Sequence, residues 1–440
     1  MNSVTRWITL AFIIVCSVMH PSLAQDDIPS DKKTPEVDKR YHAEIKSLAG
    51  QPAIKAAFAA IMDLEPQTLQ DLITLTEIPA PPFKEQKRAE KFSEMMKAAG
   101  VDSIWIDKVG NVIGLRKGRK GKKTVVLEGH LDTVFPEGTD VTVKHRGDTL
   151  LAPGIGDDTR GLALVLAVIK SMQKANVKTE ADILFIGVVG EEGLGDLRGV
   201  KQLFSSEGPK IDSYIAVDGG AIGGITYGGL GSHRYRVTFQ GPGGHSFGAF
   251  GLANPHNALA AAIHYFNLAA DSFTLKGIRT TYNVGMIGGG TSVNAIPFES
   301  WMEVDMRSEN PERLKGIDGL LQASIQRALK EENQLKRSGR NLTVDVKLVG
   351  DRPSGVEDVT LPLLQRAMAS SIFLGSTPKL GIGSTDSNIP ISKNIPAVTI
   401  GRGGSGGGAH ALTEWWVNDK GYLAIQNALL IVVSEAGLAK

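Results

Sequence analysis

The chain has 440 residues, enough for two or three domains, and its 42% hydrophobic and 22% charged content excludes disordered and fibrous classes. A formal net charge of +1 with no block of like charges offers no basic face for nucleic acid or anionic lipid and points to a small substrate. Glycine, at 51 residues, is in excess, about 12% against a usual ~7%, and much of the excess lies in turns beside ionisable clusters, where backbone must come close to something.

Residues 1–24 read as an export signal: Arg6, an apolar run over 7–19, then Ser22-Leu23-Ala24 as a small-x-small cleavage site. That run falls short of the roughly 20 residues a spanning helix needs, so no stable membrane span is expected and the product is periplasmic or secreted. The only cysteine, Cys16, lies inside the signal, so the mature chain has no thiol and must rely on its core or on metal for stability. Residues 25–40 form a flexible leader rich in Asp, Lys, Pro and Ser. Apolar spacing predicts helix over 37–75 and again over 83–99, stopped by Gly100. Strands follow at 103–115, 124–128 and 181–189, with a helix over 160–175 between the last two, and a further buried strand over 211–217 ends at Asp218. A helix alternating with apolar runs predicts the α/β class: a mostly parallel mixed sheet flanked by helices.

The pattern changes near Gly231. Strand 234–240, helix 254–268, strands 280–287 and 301–307, helix 311–332 and strand 342–349 make the order βαββαβ of a ferredoxin-like α+β domain, inserted over 231–350. The α/β pattern then resumes with a helix over 361–371, a strand over 397–400, a glycine-rich loop to Gly408 and a closing helix over 418–436. The main domain is thus in two parts, 41–230 and 351–440.

The chemistry gathers at strand ends. Val125-Val-Leu-Glu-Gly-His-Leu-Asp-Thr-Val134 puts His130 and Asp132 two residues apart, on one face of an extended strand, at the end where α/β sheets bind ligands. Four more clusters follow: Asp157-Asp158 and Glu191-Glu192 between glycines, Asp218 before Gly219-Gly220, and Gly408-Ala-His410-Ala-Leu-Thr-Glu414. Two imidazoles with three carboxylates suit zinc, or cobalt or manganese, rather than calcium or magnesium, and five ligands suffice for two ions if one carboxylate bridges. Taken singly each has a plainer reading: His130 as a core histidine, Asp157 and Asp158 as a helix N-cap pair, Glu191-Glu192 as a solvated turn.

Taken in series, His130-x-Asp132, Asp157-Asp158, Glu191-Glu192, Asp218 and His410 resemble the motifs of the dizinc metallopeptidase family that contains peptidase T, carboxypeptidase G and aminoacylases. The resemblance covers essentially the whole mature chain, makes 231–350 a lid and dimerisation domain, and implies two Zn2+ ions. Asp157 would bridge them, His130 and Asp218 completing one site, Glu192 and His410 the other, with the Asp157-Asp158 peptide cis. Asp132 would orient the His130 ring through its other nitrogen. Glu191 would be the general acid/base, taking a proton from the metal-bridging water that attacks an amide carbonyl and returning it to the leaving amine. In the lid, His245 resembles the histidine that supplies a donor to the oxyanion of a second subunit, which implies a homodimer. Asn294 and Arg307 resemble residues that hold the substrate backbone or carboxylate, although Arg307 could equally pair with Asp305 or Glu303. One departure is Arg160, where the family often has Lys.

Within that family, Asp rather than Glu at position 218 is more frequent in the di- and tripeptidase branch, so the resemblance implies an exopeptidase on short peptides, most like peptidase T. The alternatives are an amidohydrolase, deacylase or carboxypeptidase on N-acyl or N-carbamoyl amino acids, and a non-catalytic metal- or peptide-binding protein.

Overall fold

The computed structural model describes residues 36–439; the export signal expected at 1–24 and most of the leader expected at 25–40 lie outside the described residues. Proline sets the pattern of the first helices. The single helical stretch expected over 37–75 is three, Lys39–Ala49, Pro52–Asp63 and Glu65–Thr76. Pro52 and Pro66 stand in the first turns of the second and third, where a missing N–H costs nothing, and neither could continue the helix before it. The strand expected over 103–115 is likewise two, Ser103–Ile106 and Val112–Arg116, paired antiparallel. Asp107 makes the break: its Oδ1 accepts the backbone N–H of Val109, Gly110 and Asn111, each at 3.0 Å.

The central sheet has nine strands. Its middle is parallel and runs Asp182–Val188, Thr124–His130, Ser213–Val217, Ala397–Ile400. Along these strands successive residues go to opposite sides. Val125, Leu127, Ile183 and Phe185 pack with the helices Thr159–Lys174 and Tyr422–Ala436, while Val126, Leu184 and Ile186 pack with Val200, Leu203 and Ile389. Both faces are covered, which is why these strands read as unbroken apolar runs. The two helices are buried nearly all round, as expected of core helices.

Register decides where the chemistry lies. His130 pairs with Val188, Glu128 with Ala216, and Val217 with Ile400, so the carboxyl ends of four neighbouring parallel strands finish at one edge. The loops leaving that edge carry Asp132, Glu191 and Glu192, Asp218, and Arg402. A small antiparallel sheet that sequence periodicity did not reveal, Ser405–Gly407, Trp415–Val417, Thr149–Leu151 and Lys144–Arg146, ties the 405–417 loop to the 149–157 segment. It thereby brings His410 and Glu414 to the same edge.

Between Gly231 and Arg352 the chain forms a separate four-stranded antiparallel sheet in the order Thr280–Gly289, Glu299–Ser308, Gly231–Gln240, Thr343–Arg352. The helices Pro255–Thr274 and Pro311–Leu335 pack on it around Phe239, Phe266, Met302 and Ile317. Strand order and crossing helices are those of the ferredoxin-like arrangement. Among the described residues no helix is long and apolar enough to cross a membrane.

Candidate metal centre

The five side chains singled out from scattered motifs meet. His130 Nε2 lies 3.2 Å from Asp157 Oδ1, His410 Nε2 lies 3.2 Å from Asp157 Oδ2, and His410 Nε2 lies 2.9 Å from Glu192 Oε1. Ligand atoms of His130, Asp157 and Asp218 fall within 4.8 Å of one another, and so do those of Asp157, Glu192 and His410. Asp157 is common to both groups. A third grouping, His130 with Glu191 and Glu192, is equally compact. There Glu191 is already engaged, since its Oε1 accepts a hydrogen bond from Arg352.

Local backbone sets several of these members. The Asp157-Asp158 peptide is cis. Asp158 caps the helix Thr159–Lys174, accepting from Gly161 N at 3.2 Å, and also takes the backbone N–H of His130 at 3.2 Å, so the capping role belongs to Asp158 alone. A side chain at Gly161 would place its Cβ 2.2 Å from Asp158 Oδ2, which no L residue could tolerate. Gly190, with φ +70, makes the turn that swings Glu191 and Glu192 inward. His410 is itself left-handed, φ +65, which turns its imidazole back onto the carboxylates.

Asp132 orients the His130 ring as expected, but through its main chain, and its carboxylate does something further. The His130 Nδ1 partner is the main-chain carbonyl of Asp132 at 3.0 Å, and the nearer carboxylate oxygen is 3.8 Å away. Strand geometry ends at His130, so residues 130 and 132 no longer share a face. The freed carboxylate accepts the backbone N–H groups of Glu191 at 3.0 Å and Glu192 at 2.8 Å. Asp132 therefore fixes the loop that carries both glutamates.

The residues fit a pair of metal ions. A carbonyl oxygen only accepts, so His130 Nδ1 carries a proton and the Nε2 lone pair faces Asp157 Oδ1; a cation has to sit between two such acceptors. In the metal-free protein protons fill that role. Hydrogen bonds to Asp157 and Glu192 raise His410 to about 10, while Asp157, although burial pushes it up, is held well below the carboxylate range by His130, His410 and Arg402. Burial pushes Glu192 up to about 7 and Asp218 up to about 6. The pocket thus holds more carboxylate than it can keep ionised without added positive charge.

The lid residues stand apart from this group. His245 lies on the two-residue strand Gly244–His245, paired with Ala295–Ile296, and is exposed. Phe247 N and Gly248 N donate to its Nδ1 at 3.2 and 3.3 Å, which leaves the ring proton on Nε2, free to donate. Asn294 is beside it: its carbonyl accepts Ser246 N at 2.9 Å and its Oδ1 accepts Ser292 Oγ at 2.6 Å. Arg307 gives its Nε to Asp305 at 2.8 Å, the sheet-face pairing that periodicity allowed. Arg160 is buried, stacked 5.0 Å from the Trp416 ring and bonded to Gly421 O.

Three residues at the site were not singled out by role. Glu414, in the quoted His410 motif, accepts the backbone N–H of Gly154, Gly156 and Asp157 at 2.6, 2.9 and 2.9 Å, and so shapes the loop that presents Asp157. Arg402 Nη1 lies 3.5 Å from both Asp157 and Asp218; these carboxylates outweigh burial and raise its pKa above the ordinary arginine value. Arg352 holds Glu191. No local pattern marks Arg352 or Arg402, because their partners are remote in sequence.

A model of peptidase family M20/M25/M40 matches residues 126–433, more than half of the chain. The chain is 26% identical over 356 residues to the uncharacterized protein YqjE of Bacillus subtilis, covering 77% of this chain and 91% of that protein. It is 26% identical over 372 residues to the cytosol non-specific dipeptidase of Escherichia coli, covering 75% and 72%. Among solved structures, a tripeptidase of Staphylococcus aureus superposes with a TM-score of 0.69 at 23% identity, over 84% of this chain and 99% of that one, a likeness of fold.

Proposed function

Because the chain belongs to peptidase family M20/M25/M40 and is a metal-dependent hydrolase of peptides or acylated amino acids, we propose that it is an exopeptidase taking short peptides, with Glu191 as its general acid/base. The observation that carries the two-metal hydrolytic centre is the sharing of Asp157 between two ligand groups, one with His130 and Asp218, the other with Glu192 and His410, and the likeness to a dipeptidase supports the short-peptide substrate. Two ions at one bridging carboxylate, zinc by the nature of the donor set, would acidify a water and polarise a carbonyl when bound.

The protein's own groups do the rest. Glu191 stands beside the ligands without being needed as one; it accepts the proton of the attacking water and returns it to the leaving amine. Asp132 keeps Glu191 and Glu192 in place through their amides. His245, with its proton on Nε2, donates to the developing oxyanion, and its exposure on the lid supports service to the site of a second copy in a homodimer. Asn294 and Arg307 supply amide and guanidinium donors for the peptide backbone or terminal carboxylate. The motif at residues 1–24 supports export to the periplasm or medium.

Hydrolysis of a tripeptide with a free amino end, compared with its N-acetylated form, tests the substrate class: the free peptide is the better substrate. Preference for the acetylated form would make the protein a deacylase or carboxypeptidase, and zinc binding without hydrolysis of either would make it a binding protein. Glu191→Gln is expected to lower kcat by about 10²–10⁴-fold while metal content by mass spectrometry is unchanged; full turnover in that variant would remove Glu191 from its role.

A further inference from the structure

The loop 190–196, which carries Glu191 and Glu192, is fastened on a second side by the root of the lid. Arg352 is the last residue of the lid strand Thr343–Arg352. Its Nη1 donates to Glu191 Oε1 at 2.8 Å and to Ser384 Oγ at 2.9 Å, and its Nη2 donates to the main-chain carbonyl of Glu191. Two neighbours repeat the attachment. Asp351 N donates to Asp196 Oδ1 at 2.9 Å, and Arg234 Nη1, from the adjoining lid strand, donates to Gly193 O at 3.0 Å. The Arg352 and Glu191 side chains are 4% and 7% exposed, so water does not loosen the pair.

We propose that Arg352 is a positioning residue for Glu191: its guanidinium fixes the carboxylate in one orientation from the root of the lid, so that the attitude of the lid strand and the aim of the base are set together. This rests on Glu191 being the base. The planar fork matters, because one guanidinium reaches the side-chain oxygen and the main-chain oxygen of the same residue through two separate nitrogens in fixed geometry, which the single nitrogen of an ammonium does not reproduce. Among the described residues Glu191 Oε2 has no hydrogen-bond partner, so one oxygen is pinned and the other is free to take and give a proton. A base held in this way loses no time in unproductive rotamers, and misplacement by about 1 Å at such a site costs on the order of 10²-fold.

The test measures kcat and KM on a tripeptide, bound metal and melting temperature for Arg352→Met, Arg352→Lys and Ser384→Ala. Arg352→Met is expected to lower kcat by about 10²-fold with KM within about threefold and metal content intact. Lysine restores part of the rate only, and Ser384→Ala, which leaves the pair but removes its anchor, lowers kcat by a few-fold without changing KM. A rise in KM with kcat preserved would make Arg352 a grip for the substrate carboxylate and overturn the proposal. So would a loss of rate that follows loss of metal or of melting temperature across the three variants, or a lysine variant that is fully active. If Glu191→Gln itself keeps full turnover, the assignment of the base fails first, and separately.

Discussion

The edge of the central sheet and the tip of the lid solve opposite problems. At the sheet edge three of the five proposed ligands are backed by a second group: Asp132 O behind His130, Glu414 behind Asp157, Asp132 behind the loop of Glu192. At the lid tip His245 and Asn294 sit exposed on a two-residue strand pair and its turn, held mainly by their own neighbours in the chain. The first arrangement keeps charge-dense groups at fixed separation, which two cations require. The second leaves both side chains open to solvent, as their proposed contact with substrate requires.

That contrast makes separable predictions. At the lid tip, His245→Ala is expected to lower kcat by about 10²–10³-fold, with metal affinity unchanged as read by equilibrium dialysis. Metal loss in that variant would mean that the two regions are not independent. At the sheet edge, Glu414→Gln keeps the shape but gives up acceptor strength toward Gly154, Gly156 and Asp157, so metal affinity is expected to fall about 10–100-fold. Activity at saturating metal should then largely return. If saturating metal restores nothing, Glu414 shapes more than the position of Asp157.

Much of the sheet edge was legible, and the reason is physical. His130, Asp157, Glu192 and Asp218 sit at or just beyond the ends of apolar strands or between glycines, so their positions show in the local pattern. The roles of their supports do not show. Arg352 pairs with Glu191 across 161 positions and Arg402 with Asp157 across 245, and a lone arginine after Val349-Gly-Asp has no pattern of its own. Asp132 was placed correctly as the partner of His130 Nδ1, but it holds the ring through its main-chain carbonyl, because regular strand ends at His130 and the carboxylate is left for the amides of Glu191 and Glu192. Short strands such as Trp415–Val417, too brief for periodicity, carried the rest. Proline and Asp107 divided two elements that apolar spacing alone runs together.

The smallest expected effect lies within the lid body and concerns pH. His233 Nδ1 is 2.8 Å from Asp318 and its Nε2 is 3.6 Å from Asp351, with Tyr235 donating to the same Asp318 oxygen. The hydrogen bond to Asp318 raises the histidine, so its share of stability is complete below the unfolded histidine value and lost as pH rises through the folded one. Asp318, although burial pushes it up, is lowered by His233 and Tyr235, so its share is present above the ordinary aspartate value and lost as pH falls. The pair is therefore most stabilising between about pH 4 and 6.5, and at this partly buried place near the surface it contributes a few tenths to about 1 kcal/mol. His233→Asn should lower the melting temperature at pH 5.5 and leave it nearly unchanged at pH 8.5; an equal loss at both would assign the effect to packing.

The most direct measurement is an anomalous-scattering map from crystals grown with zinc. Two peaks are expected, one on either side of the Asp157 carboxylate, the first touching His130 and Asp218 and the second Glu192 and His410. A single peak, or two peaks that Asp157 does not join, would contradict the shared-carboxylate centre from which the hydrolase reading proceeds.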